Sequence, residues 1–300
     1  MAELLHEIIR TQRALGAGVE GPFDLGVHPT SFLVVRFQAD AGAAAPDLAQ
    51  LLAHITNVTI RFKGTSILSL SAADLWRFVH VMWGKRPTIE NFNAVAPGLV
   101  RWYMIVPFAR MPYILTEGFP GTRRGEFTFE MTRSAALTNI TNLEYSVEQV
   151  QVLDMQPTRF TKLTTQERAI AAGDLDQELP IGNPFFGILL FSPTTFGNVP
   201  ETATIEDVRL LLDNVEFAYS STTFEVLRAL MSLRLSDAES FVGLSSNLRD
   251  YAYMDFDPLR DDQYLVPTEG RASVKLRYTS TVAGTVRAIT GELVSLGAPG

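Results

Sequence analysis

The stretch that decides the fold is Val58-Thr59-Ile60-Arg61-Phe62, followed by Lys63-Gly64 and then by Ile67-Leu68-Ser69-Leu70. Two short segments rich in β-branched and apolar residues, separated by a turn pair, are typical of a β-hairpin. A helix is predicted directly after it, from Ser71 to about Met82, because the Ser71 hydroxyl can cap free N–H groups and Asp74 follows three residues later. This part of the chain therefore reads as strand, turn, strand and capped helix.

The same order of elements returns in the second half of the chain. The segment Val208-Arg209-Leu210-Leu211-Leu212 leads into the turn pair Asp213-Asn214 and the strand Val215 to Tyr219. A second capped helix is predicted from Ser221 or Thr222 to about Leu233, with Glu225 three residues after Thr222. A long internal repeat of this kind indicates a duplicated structural unit.

Further segments match at nearly the same offset. One pair of matching segments is Tyr103-Met104-Ile105-Val106-Pro107-Phe108 and Tyr251-Ala252-Tyr253-Met254-Asp255-Phe256, which are 148 positions apart (251 − 103). Arg61 and Arg209 are separated by the same 148 (209 − 61). The chain is therefore predicted to hold two copies of one mostly-β unit.

Composition supports two all-β domains and excludes thiol chemistry. The chain has 300 residues, of which 46% are hydrophobic, and its 16 Pro and 21 Gly favour short strands joined by turns. The net charge of −8 disfavours a broad nucleic-acid surface, so no specific nucleic acid is expected. With no Cys, disulfides and Cys-based zinc sites are excluded, and no cofactor is expected.

Four regions are predicted along the chain. Residues 1–20 form an N-terminal amphipathic arm, residues 21–156 a first domain, residues 157–180 a linker, and residues 181–300 a second domain. The linker is expected to contain a short helix from Thr164 to Gly173, closed by the glycine. About eight strands interrupted by a helix, within 130 to 150 residues, fit a jelly roll better than an immunoglobulin-like sandwich.

The duplication resembles a known family. Leu179-Pro180-Ile181-Gly182 before the strand Gly187 to Phe191, Val208-Arg209-Leu210 with Asp213-Asn214, and Val106-Pro107-Phe108 look like the double jelly-roll major capsid proteins of icosahedral, tailless and often membrane-containing bacteriophages. The resemblance spans nearly the whole chain and depends more on the order of elements than on these short motifs. It implies an all-β fold of two tandem jelly rolls, each with a short inserted helix.

The resemblance also implies a structural role and no enzymatic activity. Three copies would form a homotrimer whose six jelly rolls make a pseudo-hexagonal capsomer, and neighbouring capsomers would tile an icosahedral shell. The implied partners are further copies of the chain, penton or minor capsid proteins, and an internal viral membrane where the virus has one. The implied location is the virion capsid, reached from the host cytoplasm, since no secretory signal is seen at the N-terminus.

Two sets of residues are candidate contacts in such a shell. Met1 to Leu15 is predicted as a short amphipathic helix with Leu4, Leu5, Ile8 and Ile9 on one face. That face is a candidate contact with the inner shell or a membrane, and packing within its own trimer is the alternative. Arg123 and Arg124 lie in a Gly-rich loop and are candidates for contact with an acidic surface of a neighbouring subunit.

The remaining polar residues give little support for catalysis. His6, His28, His54 and His80 lack metal-site spacing, so no metal or catalytic residue is predicted. The acidic residues Asp250, Asp255, Asp257, Asp261 and Asp262 are interpreted as a solvated loop, because the segment lacks the Gly and terminal Glu of a calcium loop. The alternative function is a two-jelly-roll carbohydrate-active or glycan-binding protein, with its candidate site at Trp102-Tyr103 and Tyr251 to Asp257.

Overall fold

The computed structural model describes residues 3–91, 93–195, 202–219, 221–235 and 248–296. The chain divides into two compact units. The first comprises Met1–Leu163 with Ser295–Gly300, and the second comprises Thr164–Val294. Both units are built mainly of antiparallel strands, which confirms the all-β prediction.

The first unit is a jelly roll. One of its sheets has the order β1-β9-β3-β7-β6 and the other contains the run β5-β4-β8-β2. Successive strands change from one sheet to the other except at the β4–β5 hairpin and between β6 and β7, and the first strand pairs with the last, which is the jelly-roll arrangement. Its elements are β1 (Leu4–Ala14), β2 (Gly18–Asp24), β3 (Thr30–Ala41), α1 (Leu48–Ala53), β4 (Ile55–Phe62), β5 (Thr65–Leu70), α2 (Ala72–Trp83), β6 (Ile89–Glu90), β7 (Leu99–Pro107), β8 (Phe127–Arg133) and β9 (Ile140–Val152).

The second unit repeats this arrangement. Its sheets have the orders β18-β12-β20-β10 and β11-β19-β15-β16, with β17 paired to β15 and β13 paired to β14. Its elements are β10 (Arg159–Ile170, belonging to this unit from Thr164 onward), β11 (Gly173–Glu178), β12 (Phe185–Phe191), β13 (Thr194–Thr195), β14 (Thr202–Ala203), β15 (Ile205–Leu212), β16 (Val215–Glu216), β17 (Thr222–Thr223), α3 (Phe224–Ser232), β18 (Tyr251–Asp255), β19 (Val274–Ser280) and β20 (Gly284–Ser295). The double jelly roll expected from the sequence is therefore confirmed.

The two predicted helices occupy equivalent places, after the β4–β5 and β15–β16 hairpins. The Ser71 hydroxyl accepts a hydrogen bond from the Asp74 N–H at 3.1 Å, as the sequence predicts. In the second unit the cap is Thr223, which accepts from the Val226 N–H at 3.3 Å, one residue later than predicted. The first unit also contains α1, which the sequence analysis missed although Asp47 and Gln50 form a complete capping box.

The register between the two units differs locally from the offset read in the sequence. Each of the strands β4 and β15 carries an irregularity near its start, between Ile55 and Asn57 and between Ile205 and Asp207. The hairpin turns begin at Lys63 and Asp213, which have φ angles of 50° and 52°. Both features are 150 positions apart, so Arg61 corresponds to Leu211, and the predicted match of Arg61 with Arg209 is wrong by two residues.

The predicted linker helix from Thr164 to Gly173 is also wrong. Residues up to Ile170 continue β10, and Gly173 begins β11. The Thr290 hydroxyl donates to the Thr164 carbonyl oxygen at 3.3 Å, and β10 neighbours β20 in the sheet. Pairing in the sheet thus outweighs the helix propensity of a Gln-, Glu- and Ala-containing segment, since local propensity is only a weak preference.

Each unit has its own apolar core. In the first unit Phe119 and Phe127 stack with ring centroids 4.1 Å apart, and Phe108 packs against both. Burial of an aromatic or aliphatic side chain of this size contributes roughly 1.5–3 kcal/mol. The core of the second unit includes Phe185, Ile188, Leu190, Val208, Leu210, Phe224, Leu227, Ala252, Met254, Leu276 and Tyr278.

Candidate assembly surfaces

The N-terminal segment is a strand, so the predicted amphipathic helix is wrong. Leu4 to Ala14 form β1, which pairs antiparallel with β9. Side chains alternate between the two faces of a strand, so Leu4 and Ile8 lie on one face and Leu5 on the other. Ile9 falls at an irregularity in the pairing between Ile8 and Arg10. The apolar spacing that fits one face of a helix is therefore divided between two faces of a sheet.

Two of these candidate residues are strongly exposed. The exposed fractions of the Leu4 and Ile8 side chains are 57% and 63%, whereas that of Leu5 is 38%. Ile9 is half-buried. Leu4 and Ile8 thus form a small apolar surface on β1. Among the described residues no helix has the length and apolar character needed to cross a membrane.

Arg123 and Arg124 lie in an exposed turn that leads into β8. The Arg123 N–H donates to a carboxylate oxygen of Glu126 at 3.2 Å, and the Glu126 N–H donates back to the Arg123 carbonyl oxygen at 3.1 Å. The Thr122 N–H donates to the Val27 carbonyl oxygen at 2.8 Å, which fixes the turn against the loop after β2. The backbone of the turn is therefore ordered while both guanidinium groups remain accessible.

A cleft of about 500 Å³ brings the two sets of candidate residues together. Leu5 and Arg124 both line it, with Glu7, Asp24, His28 and neighbouring residues of the 24–28 loop. Leu5 and Arg124 are far apart in the sequence, and no sequence signal connects them. Its lining carries two carboxylates and one guanidinium, so this end of the first unit presents a polar, mixed-charge surface.

The floor of this cleft is held by a buried amide network on β9. Gln149 accepts from the Gly26 N–H at 2.5 Å and donates to the Thr30 hydroxyl at 2.5 Å. Gln151 donates to Glu7 at 2.6 Å. A Cβ on Gly26 would lie 2.0 Å from Gln151 Nε2 and 2.2 Å from Glu7 Oε2, so a larger residue there would displace the ends of both side chains. Sequence reasoning missed this network, although two Gln at alternate positions of an apolar strand were a usable signal.

A second group missed by the sequence analysis is a buried ion cluster. Glu117 is bonded to Arg110 and, at 3.0 Å, to Arg159 Nε. Burial alone would raise the pKa of the Glu117 carboxyl, but the hydrogen bonds and charge of Arg110, helped by Arg159, hold the pKa below its usual value. Glu117 therefore stays ionised in the interior, where it ties the start of β10 to the loop after β7.

The predicted solvated acidic loop is wrong for two of its residues. Asp255 forms an ion pair with Arg234, whose side chain is 14% exposed, and Asp257 is buried. Arg234 Nη2 also donates to the Asp257 carbonyl oxygen at 2.7 Å. Burial lowers the pKa of Arg234, but bonding to Asp255 outweighs it, so the pKa is raised. These groups join the end of α3 to β18. Of the others, Asp261 is exposed and Asp250 and Asp262 are half-buried.

Most of the aromatic residues proposed for a sugar site are core residues. Trp102 and Tyr253 are almost completely buried, and Trp102 stacks on Phe37 at a centroid distance of 5.2 Å. Burial raises the pKa of Tyr253. Tyr103 is half-buried, and its hydroxyl donates to Glu90 at 3.0 Å. Trp102 and Tyr253 are therefore not accessible to a sugar ring.

The four histidines lie in different surroundings. His6 and His28 are exposed, whereas His54 and His80 are buried in the first unit. Burial lowers the pKa of His54, whose Nε2 lies 3.3 Å from the Thr138 carbonyl oxygen. Within the described ranges no group of three His, Asp or Glu residues is placed to hold a metal ion.

Comparison with known proteins gives a similarity of fold. No protein-family model matches the sequence, and no curated protein matches it. The major capsid protein P2 of bacteriophage PM2 is similar with a TM-score of 0.68 and 12% identity, over 100% of both chains. The STIV major capsid protein is similar with a TM-score of 0.69 and 13% identity, over 99% of this chain and 100% of that one. VP54 of PBCV-1 is similar with a TM-score of 0.65 and 9% identity, over 98% of this chain and 94% of that one. All three are double jelly-roll proteins.

Proposed function

We propose that this chain is a major capsid protein that acts by assembling into an icosahedral viral shell. The observation that carries the proposal is the repetition of one jelly-roll strand order in two tandem units, over the full length of the chain. Solved capsid proteins with the same double unit cover nearly the whole chain at TM-scores of 0.65 to 0.69. A shell protein functions through its shape and through the edges that contact its neighbours. The buried polar clusters around Glu117 and Asp255 stabilise the fold.

The proposed assembly unit is a homotrimer. Two similar units in each of three chains give a closed ring with six similar outer edges, and closed rings are the usual form of heterologous contacts. Such pseudo-hexagonal capsomers pack side by side into a lattice. Penton or minor capsid proteins are the proposed partners at the remaining positions, and the proposed route leads from the host cytoplasm into the virion capsid.

The candidate residues have separate proposed roles in this assembly. Arg123 and Arg124 are proposed to meet an acidic surface of a neighbouring subunit. Leu4, Leu5, Ile8 and Ile9 are proposed to contact the inner side of the shell, where a minor protein or a membrane lies. The strong exposure of Leu4 and Ile8 and the accessible guanidinium groups support these roles.

Light scattering combined with electron microscopy tests the proposal. We expect a particle of three times 33.1 kDa, or hexagonal sheets and shells, in the purified protein. A chain that stays monomeric at every concentration and salt condition would refute it.

A charge-reversal pair tests the arginine contact separately. Arg123→Glu with Arg124→Glu is expected to weaken lattice formation while the thermal unfolding curve stays unchanged. Lys85→Glu with Arg86→Glu is the matched control, because these residues are also adjacent, basic and exposed. Equal effects of the two pairs would contradict a specific role for Arg123 and Arg124.

A further inference from the structure

The outer edge of β1 is an unusual feature of the first unit. β1 is the terminal strand of the sheet β1-β9-β3-β7-β6, and in the described part of the chain no strand pairs with its other edge. An edge strand presents unpaired N–H and C=O groups that can pair with another chain, and proteins usually protect such edges with charges, proline or bulges. The free edge of β1 therefore needs either a feature that blocks pairing with other chains or a partner strand.

The protection covers only the second half of the strand. Irregularities interrupt the pairing with β9 between Ile8 and Arg10 and again between Arg10 and Arg13. From Leu4 to Ile8, by contrast, the pairing is continuous. This first half contains no proline and a single carboxylate, Glu7. It is a regular, largely apolar template for strand pairing.

The hydrogen-bond phase identifies which residues are available. The Leu153 N–H donates to the Glu3 carbonyl oxygen at 2.9 Å, and the register from Leu4 onward continues from this pair. In an antiparallel ladder alternate residues direct both backbone groups to the same neighbour. Glu3, Leu5 and Glu7 therefore bond to β9. The backbone groups of Leu4, His6 and Ile8 point to the free edge.

We infer that this edge pairs antiparallel with the same strand of a second copy, about a two-fold axis through His6. In that register Leu4 faces Ile8 of the other copy and the two His6 residues face each other. All three residues with outward backbone groups then find partners. Leu4 and Ile8 share a face with His6, so the contact also brings together the apolar side chains of both copies.

The charge pattern favours this register and a partner of the same sequence. With the axis at His6, Glu7 lies opposite Leu5. An axis at Glu7 would place two carboxylates opposite each other, and an axis at Leu5 would place Glu3 opposite Glu7; like charges directly opposite are destabilising. The segment is thus self-complementary, which is the requirement for an isologous two-fold contact.

The inference rests on the proposed function, because it assumes that the chain forms capsomers. A three-fold ring contains no two-fold contact between its own subunits, so paired β1 strands would join two different capsomers. The Leu4 and Ile8 surface would then double in size at the joint.

Cysteine crosslinking tests the contact directly, because the chain has no native Cys. His6→Cys is compared with Thr11→Cys, an exposed position on the same strand. In the proposed register the two His6 Cα atoms are about 5.5 Å apart, whereas the two Thr11 residues are roughly 33 Å apart along the strands. Each variant is treated with a short bis-maleimide, both in assembled lattices and as concentrated protein, and is analysed in denaturing gels.

We expect H6C to run mainly at twice the single-chain mass and T11C to stay at the single-chain mass. If lattices form in the microscope but H6C crosslinks no more than T11C, the inference is wrong while the proposed function stands. If neither trimers nor lattices form at any concentration, the proposed function fails. In that case, equal crosslinking of H6C and T11C in the concentrated protein would also contradict the pairing of two β1 strands.

A proline variant separates backbone pairing from side-chain contact. His6→Pro removes an N–H that points away from β9, and proline is tolerated on the free side of an edge strand. We expect unchanged thermal unfolding together with loss of contacts between capsomers, while His6→Ala retains them. Lattices of H6P that match those of the unaltered chain would overturn the inference.

Discussion

The Arg110 guanidinium and the Glu117 carboxylate form a buried ion pair whose side chains are only 4% and 1% exposed. Glu117→Gln removes the anion and leaves two arginine side chains without it. Because breaking a buried pair leaves an uncompensated charge, the expected loss of unfolding free energy is about 3–5 kcal/mol. Chemical denaturation measures it. Glu126→Gln, in the exposed pair with Lys63 at 3.8 Å, should cost at most about 1 kcal/mol.

The same pair predicts how stability depends on pH. The pKa of Glu117 is lowered from 4.5 in the folded chain. Its contribution to stability is therefore present above pH 4.5 and is lost as the pH falls through the lowered value. Unfolding curves of the unaltered chain and of E117Q should converge in strong acid. A difference that stays constant down to that range would contradict the ion-pair interpretation.

Asp255→Ala should destabilise the second unit. The carboxylate is bonded to Arg234 and accepts from the Asp257 N–H at 3.0 Å, so its removal should cost about 3 kcal/mol by leaving a largely buried guanidinium unpaired. Asp261→Ala, at an exposed position of the same loop, should change the unfolding free energy by less than about 0.5 kcal/mol. Calorimetry also measures whether oligosaccharides bind to the unaltered chain and to D255A. Binding that is lost in D255A would support the glycan-binding alternative.

Gly26→Ala should weaken the first unit, because the new Cβ would overlap the bonded Gln151 and Glu7 side chains. Overpacking of this kind usually costs about 1–3 kcal/mol. Gly16→Ala is the control, since a Cβ there meets nothing within 4 Å. Thermal unfolding compares the two, and equal melting temperatures would show that the cleft floor relaxes freely.

The equivalent helix caps predict equal effects in the two units. Ser71→Ala and Thr223→Ala should each lower stability by about 1 kcal/mol, because each removes the acceptor for an N–H in the first turn. Thr222→Ala should have a smaller effect, since Thr222 is not the capping residue. Denaturant unfolding measures all three. A larger loss in T222A than in T223A would place the cap where the sequence first suggested it.

Sequence reasoning reached the duplication, the hairpins and the capped helices because these depend on local signals. Strand alternation, turn pairs and capping hydroxyls act over a few residues, and α2 and β7 illustrate that well. It failed where tertiary pairing decides the conformation. Leu4, Leu5, Ile8 and Ile9 fit a helix period, yet the segment is fixed by pairing with β9.

The candidate surfaces were less predictable than the fold. Leu5 and Arg124 line one cleft only because β1 and the turn before β8 lie close together in the jelly roll. The ion pairs of Glu117 likewise depend on partners 7 and 42 residues away in the sequence, and that of Asp255 depends on a partner 21 residues away. Such distances carry no periodic signal, so the sequence could suggest the residue types but not their pairing.

The amide network under the cleft has a consequence for folding specificity. Apolar strands can slide by two residues and still bury hydrophobic side chains. On β9, such a slip would separate Gln149 from Gly26 and Thr30, and Gln151 from Glu7, leaving amides in the interior without partners. Wrong alignments are thus penalised even when their hydrophobic packing is adequate. This chain is proposed to accumulate in many copies before assembly. The cost of unpaired amides would then reduce the number of misaligned chains that could aggregate.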